Sequence, residues 1–260
     1  MKILFIGDVF GDAGKKALLQ KVPEYRSKQS VDFVVANSEN VHRGRGLKIR
    51  DAEEIFACGV DVISTGNHAF DQIELIDYYK RQPKIIHPAN YNPASPSKGY
   101  VLCEVYSGVK VGVMNLAGRI HMEPADCPFA AADRVIAEIK SEADIILVDM
   151  HAEATSESRA MGWHLDGRVA AVLGSHTHVQ TADEEILPNG TAYITDAGMT
   201  GPYRSVIGMK VEGPLKKFRT GMRSPYEPGT EDVRFCAVLI EVQENTGKST
   251  SIQRIQERNL

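Results

Sequence analysis

Five short polar clusters in this 260-residue chain hold the side chains best suited to binding metal or moving protons. Asp8 follows Gly7. Glu39 and Asn40 close Asn37-Ser38-Glu39-Asn40, and Asn67 and His68 follow Thr65-Gly66. His151 ends Asp149-Met150-His151, and His176 and His178 lie in Gly174-Ser175-His176-Thr177-His178. Carboxylate, amide and imidazole donors without sulfur suit Mn²⁺, Fe or Zn²⁺ better than they suit a cysteine-based structural zinc. His176 and His178 are spaced by two, so in an extended segment both rings point to one face, and each could hold one ion. Glu39 has two oxygens and could bridge two ions. Asp8 and Glu39 are the charged ligands, so two divalent ions leave a site of roughly +2, or about +1 with a bridging hydroxide, which favours an anionic substrate. Each residue also has a plainer reading on its own. Asp8 could cap a helix, Asn67 form an Asx turn, and Asn40 serve as a turn residue or phosphate contact. His151 could be a satisfied core histidine, and His176 and His178 turn histidines. Their recurrence at successive strand ends favours the joint reading.

Those strand ends imply a particular architecture. Ile3 to Ile6, Val31 to Ala36 and Val60 to Ser64 are short apolar runs, with helices expected over 15 to 29 and 50 to 58. Tyr100 to Tyr106 and Val109 to Leu116, joined at Ser107-Gly108, predict an antiparallel hairpin. A helix near 130 to 141 leads to a strand Ile145 to Val148, and Ala170 to Leu173 is a further strand. Glu184 to Leu187 and Ala192 to Thr195 flank the turn Pro188-Asn189-Gly190. The proline- and glycine-bearing tail from 212 to 232 reads as loop, and Phe235 to Val242 as a last strand paired across Asn245-Thr246-Gly247 with 249 to 254. Open α/β sheets place their sites at the carboxyl ends of strands, where all five clusters fall. The expectation is two β-rich layers flanked by helices in one domain, residues 1–260, with two fused α/β halves as the alternative.

Other features receive structural readings. Gly7, Gly11 and Gly14 do not make a phosphate loop, since a Walker match would need glycine at Val9 and Ser or Thr at Lys16. That segment is a turn feeding the first helix. Trp163 is expected in the core, and His121 and His164 are expected to be structural. His42, Arg43 and Arg45 form a basic loop, either solvated or touching substrate. Thr195 to Tyr203 follows a strand and is a candidate pocket lining.

Composition excludes several classes. With 43% hydrophobic and 25% charged residues the chain is neither disordered nor coiled coil. A net charge of −4 argues against a protein that coats nucleic acid, but not against a small anionic substrate. Cys58, Cys103, Cys127 and Cys236 form no CxxC pair and are expected to be reduced thiols. The first apolar run is too short for a signal peptide and no later run can span a membrane, so a soluble, cytoplasmic protein is expected. Homo-oligomerisation is expected on general grounds.

Taken in order, FIGDVFG, NSEN, STGNHAF, PANY, DMHAEATSES, AMGWHLDGRVAAVLGSHTHVQTAD and YITDAGMTGP resemble the calcineurin-like metallophosphoesterases, and within them the YmdB-like family of bacterial cyclic-nucleotide phosphodiesterases. The likeness runs from residue 1 to about 210. It implies an α/β calcineurin-like sandwich, two mixed β-sheets flanked by helices. It also implies two divalent ions, with Fe or Mn favoured and Zn an alternative. One ion would be bound by Asp8, Glu39, Asn40 and His178, the other by Glu39, Asn67, His151 and His176, with Glu39 bridging. His68 matches the family's proton donor. Phe10 stands where the wider superfamily has a histidine, and Glu39 where it has an aspartate. Both features are typical of the YmdB-like subgroup. Two departures within that subgroup, Val41-His42-Arg43-Gly44 and His87, bear on substrate preference. The implied reaction is hydrolysis of a 2′,3′-cyclic nucleotide by a metal-bridging hydroxide, with His68 as general acid. A phosphomonoesterase or nucleotidase on the same fold, and a metal-bound regulatory protein of RNA metabolism, are the alternatives.

Overall fold

The computed structural model describes residues 1–92, 95–106, 108–258 and 260. Two mixed sheets carry the chain. In the first, β1 (Lys2–Ile6), β2 (Phe33–Asn37), β3 (Val62–Ser64) and β4 (Ile85–Ile86) run parallel in that order. They are alternated with helices α1 (Gly11–Gln29), α2 (Ile49–Ala57) and α3 (Ile73–Arg81). The long hairpin of β12 (Val233–Gln243) and β13 (Lys248–Glu257) extends this sheet, with β12 antiparallel to β1 and also pairing β11 (Gly201–Pro202). In the second sheet β6 (Val109–Ala117), β7 (Ile145–His151), β8 (Ala171–Ser175) and β10 (Ala192–Ile194) are parallel. The antiparallel strands β5 (Tyr100–Tyr106) and β9 (Glu185–Ile186) flank them. Ser107, half of the expected β5–β6 connection, lies outside the described residues.

The sequence pattern explains the layering. Central parallel strands are apolar on both faces, as Phe33–Asn37 is, because both faces are covered. Ile3, Phe5, Phe33 and Val35 meet Val111, Val113, Ile145 and Leu147 between the sheets. Leu4, Ile6 and Val34 face Leu18, Val22 and Ile55 of the helices on one side. Met114, Val148 and Val172 face Val135, Ile136 and Met161 of α4 (Pro128–Ile139) and α5 (Thr155–Leu165) on the other. The parallel strands of both sheets end at one seam, and all five polar clusters are carried there.

Several expectations are corrected. Helix α1 begins at Gly11, ahead of the expected 15, and contains Gly14. Glycine weakens a helix, but a Cβ at Gly14 would stand 2.1 Å from the Thr200 carbonyl oxygen, so the close approach decides. Residues 212 to 232 are not all loop: α6 (Glu212–Thr220) carries Pro214 in its first turn and Gly221 at its left-handed end. Proline is tolerated where no N–H is needed, so the residues read as breakers mark helix boundaries. Trp163 is not core but 52% exposed, because α5 turns Ser158, Met161, Gly162 and Leu165 inward. The Arg159 guanidinium lies 5.1 Å from the Trp163 ring centroid.

Candidate metal centre

Among the described residues, Glu39, His151 and His176 form a group of donors whose ligand atoms lie within 4.8 Å of one another. His151 Nε2 is 3.0 Å from Glu39 Oε1, 2.9 Å from Asn67 Oδ1 and 3.1 Å from His176 Nδ1. Separations near 3 Å are polyhedron edges for donors about 2.1 Å from a common cation. Beside this group, Asp8 Oδ1 stands 3.9 Å from His151 Nδ1 and 4.0 Å from His178 Nε2. Among the described residues, Asp8 Oδ1 and Asn40 Oδ1 are buried without a hydrogen-bond partner. Buried polar atoms rarely stay unpaired, and here oxygen atoms and imidazole nitrogens converge with no lysine or arginine in the set. These donors fit divalent metal ions.

Each donor is aimed by its neighbours. The Asn40 amide donates to the Gly44 carbonyl (3.0 Å), leaving its oxygen free. His178 Nδ1 donates to the Ile207 carbonyl (2.9 Å), which leaves Nε2 toward Asp8. That is the usual arrangement for a metal-binding imidazole. His176 and His178 do face the site together, but not from an extended strand: β8 stops at Ser175 and their φ angles are 104° and 64°. Such left-handed backbone is uncommon for non-glycine residues and marks a loop held by its surroundings. Asp196 holds it, accepting from Thr177 N (2.9 Å) and Thr177 Oγ1 (2.8 Å). Gly66 leaves room for the His151 ring, whose Cδ2 lies 2.2 Å from where a Cβ would stand.

Behind His151 lies a residue to which sequence reasoning gave no role. His151 Nδ1 donates to Ser175 Oγ (2.9 Å), and Ser175 Oγ donates to Asp149 Oδ1 (2.6 Å). The other Asp149 oxygen accepts from Ser64 Oγ (2.5 Å) and Asn37 Nδ2 (3.0 Å). Asp149 and His151 share one face of β7, two residues apart, which was the available signal. Asp149→Asn is expected to lower metal affinity or turnover by roughly 10- to 100-fold. Mn²⁺ titration together with rate measurement checks this, and wild-type values in both would remove Asp149 from the device.

His68 sits at the rim. Its Nδ1 is 3.0 Å from Asp71 Oδ2, Arg45 Nε is 3.3 Å from the same oxygen, and its backbone N–H donates to Glu39 Oε2 (2.8 Å). Asp71 is a second residue missed from sequence. Glu153, 3.1 Å from His176 Nε2 at the cavity mouth, is a third.

The charges are strongly coupled. Burial pushes the Asp8 carboxyl up to about 7 against the pull of His151 and the His176 N–H. Burial opposes charge on His151, but Glu39, Asp8 and Asp149 outweigh it and raise the ring to about 9. Burial would raise Glu39, yet His151 holds it down at about 2. In the metal-free protein Asp8 therefore binds a proton below about 7 and His151 below about 9. Both must leave before these groups can act as ligands. Metal affinity is therefore expected to rise with pH while these protons are lost and to level off above about 9. Mn²⁺ titrations across that range check the trend.

The cavity over the donors is about 520 Å³ and is lined by Phe10, Glu39, Asn40, His68, His176 and His178, with Gly44 and Arg45 beside them. The basic loop divides: Arg45 reaches this cavity, while His42 and Arg43 line a separate one with Lys15 and Lys48. Thr195 to Tyr203 does not line the donor cavity but lies behind it, with Thr200 N donating to the Asp8 carbonyl (3.0 Å). His87 is buried beside another cavity, its Nδ1 on the Pro88 carbonyl (2.9 Å). His164 pairs with Asp133 (3.0 Å), a structural contact.

Two facing mixed sheets with these donors at the carboxyl ends of their strands define a calcineurin-like metallophosphoesterase sandwich. A crystal structure of a hypothetical protein from Thermus thermophilus matches at TM-score 0.93 and 41% identity, over 100% of both chains. That of a novel phosphatase from Mycoplasma pneumoniae matches at TM-score 0.93 and 33% identity, over 99% of this chain and 93% of that one. The chain belongs to the YmdB-like protein family, whose profile matches residues 4–255. It is also 42% identical to the 2′,3′-cyclic-nucleotide 2′-phosphodiesterase of Bacillus subtilis strain 168, over 98% of this chain and 96% of that protein.

Proposed function

We propose that this phosphoric ester hydrolase is specifically a dinuclear-metal phosphodiesterase acting on 2′,3′-cyclic nucleotides. The carrying observation is the pair of buried, unpartnered oxygens of Asp8 and Asn40 beside the Glu39–His151–His176 cluster, with His68 held apart at the rim. Asp8, Glu39, Asn40 and His178 would hold one ion, and Glu39, Asn67, His151 and His176 the other. Fe or Mn is proposed, with Zn as an alternative that the same donors accept. When bound, the ions supply positive charge for the phosphate oxygens and an acidified water. The name of the Bacillus subtilis relative supports cleavage at the 2′ position. In that reaction the P–O2′ bond breaks, a water oxygen joins phosphorus, and the phosphate stays on O3′.

An alkoxide leaves poorly, so O2′ must be protonated as it departs. His68 is proposed for this role: its Nδ1 lies 3.0 Å from Asp71 Oδ2, which leaves Nε2 as the nitrogen that would deliver the proton. The sheets share one core, which supports treating 1–260 as one catalytic domain. The four free thiols fit a reducing compartment such as the cytoplasm. Among the described residues no helix is long and apolar enough to cross a membrane.

The test uses protein stripped of metal and reloaded with Mn²⁺, or with Fe²⁺ without oxygen, on 2′,3′-cAMP, 3′,5′-cAMP and AMP. Metal-dependent opening of the 2′,3′-cyclic ester alone is expected. Phosphate release from AMP alone would make the protein a nucleotidase.

A further inference from the structure

The cavity over the donors is lined by two unlike sets of residues. One is the polar floor of Glu39, Asn40, His68, His176 and His178. The other is apolar and comes from the segment read as loop in the sequence, together with the residues just before it: Val206, Ile207, Met209, Pro214, Phe218 and Tyr226. Phe218 is 79% exposed and Tyr226 42% exposed, although both border a concave space. Scattered exposed apolar residues need no explanation, but two exposed aromatic rings lining the same cavity as the candidate metal ligands call for one. The apolar set is also tied to the donors. Ile207, a β-branched residue at φ 45°, has its carbonyl on His178 Nδ1 at 2.9 Å, so a strained residue fixes the apolar set to a candidate ligand.

We propose that Phe218 and Tyr226 form a nucleobase platform, stacking the planar base of a substrate whose phosphate lies on the polar floor. This rests on the phosphodiesterase reading above. The cavity volume of about 520 Å³ is within the range of small-molecule sites. Every base offers a π face, so stacking on these rings tolerates different bases, and the platform selects nucleotides over base-free phosphodiesters.

The test compares kcat/KM of the Mn²⁺-loaded enzyme on 2′,3′-cAMP and on methyl β-D-ribofuranoside 2′,3′-cyclic phosphate, the same ester without its base. Wild type is expected to prefer the nucleotide. Phe218→Ala and Tyr226→Ala are each expected to lower that preference by roughly 5- to 100-fold, chiefly through KM. Phe218→Trp should restore it, and calorimetric binding of 3′-AMP should weaken in parallel in the alanine variants. Equal turnover of both esters by wild type, or an unchanged preference in both alanine variants, overturns the platform. An unchanged preference with a smaller assembly in gel filtration would overturn it in favour of an interface between copies. If wild type opens neither ester, the phosphodiesterase reading falls and the platform with it.

Discussion

Glu39→Gln is expected to leave a folded protein whose turnover of 2′,3′-cAMP falls by at least about 10³-fold, the order expected when several kcal/mol of transition-state charge stabilisation is lost. Glu39 is buried, and its two oxygens serve different partners: Oε1 meets His151 Nε2 at 3.0 Å and Oε2 accepts the His68 N–H at 2.8 Å. An amide of the same shape keeps the packing but removes one of the two carboxylate charges among the proposed ligands. It also presents an N–H₂ group where lone pairs are needed. Metal content by elemental analysis should fall together with the rate. A variant that keeps its metal and works within tenfold of wild type would rule out Glu39 as the shared ligand.

His68→Ala should separate from this by mechanism. Turnover of 2′,3′-cAMP is expected to drop by about 10²–10⁴-fold, the usual worth of a positioned general acid, while metal content stays at the wild-type level. The contact between residue 68 and Glu39 uses the backbone N–H, which alanine retains. The decisive comparison is a nitrophenyl phosphodiester, whose leaving group needs no proton. There the variant should lose far less. Equal losses on both substrates would make His68 a substrate-binding or positioning residue.

The fold was legible where local patterns carry it. Apolar runs closed by Gly7-Asp8, Ser38-Glu39-Asn40 and Gly66-Asn67-His68 correspond to β1, β2, β3 and the loops after them. These strands are buried on both faces, and their polar ends lie where open sheets place sites. The histidines and carboxylates that gather at the seam stand out in the sequence for the same reason. What escaped depends on contacts between distant segments. Ser64, Asn37 and Ser175 are ordinary polar residues until three strands bring them onto Asp149. Gly14 and Pro214 argue against helices locally, but a close backbone approach and a first-turn position admit them. Trp163, expected in the core, is turned outward against Arg159 by the register of α5.

Asp149 has a further consequence. It stands on one sheet and grips Asn37 and Ser64 of the other, and the proposed ligands are likewise drawn from both. Any cation held there closes a non-covalent staple across the seam, and ligands that bind only the native chain raise its unfolding free energy. A chelator would then act as a mild denaturant, loosening the two halves before the helices outside them. Resistance to proteolysis would follow the supply of the ion, so that metal scarcity would shorten the life of the enzyme as well as slow it.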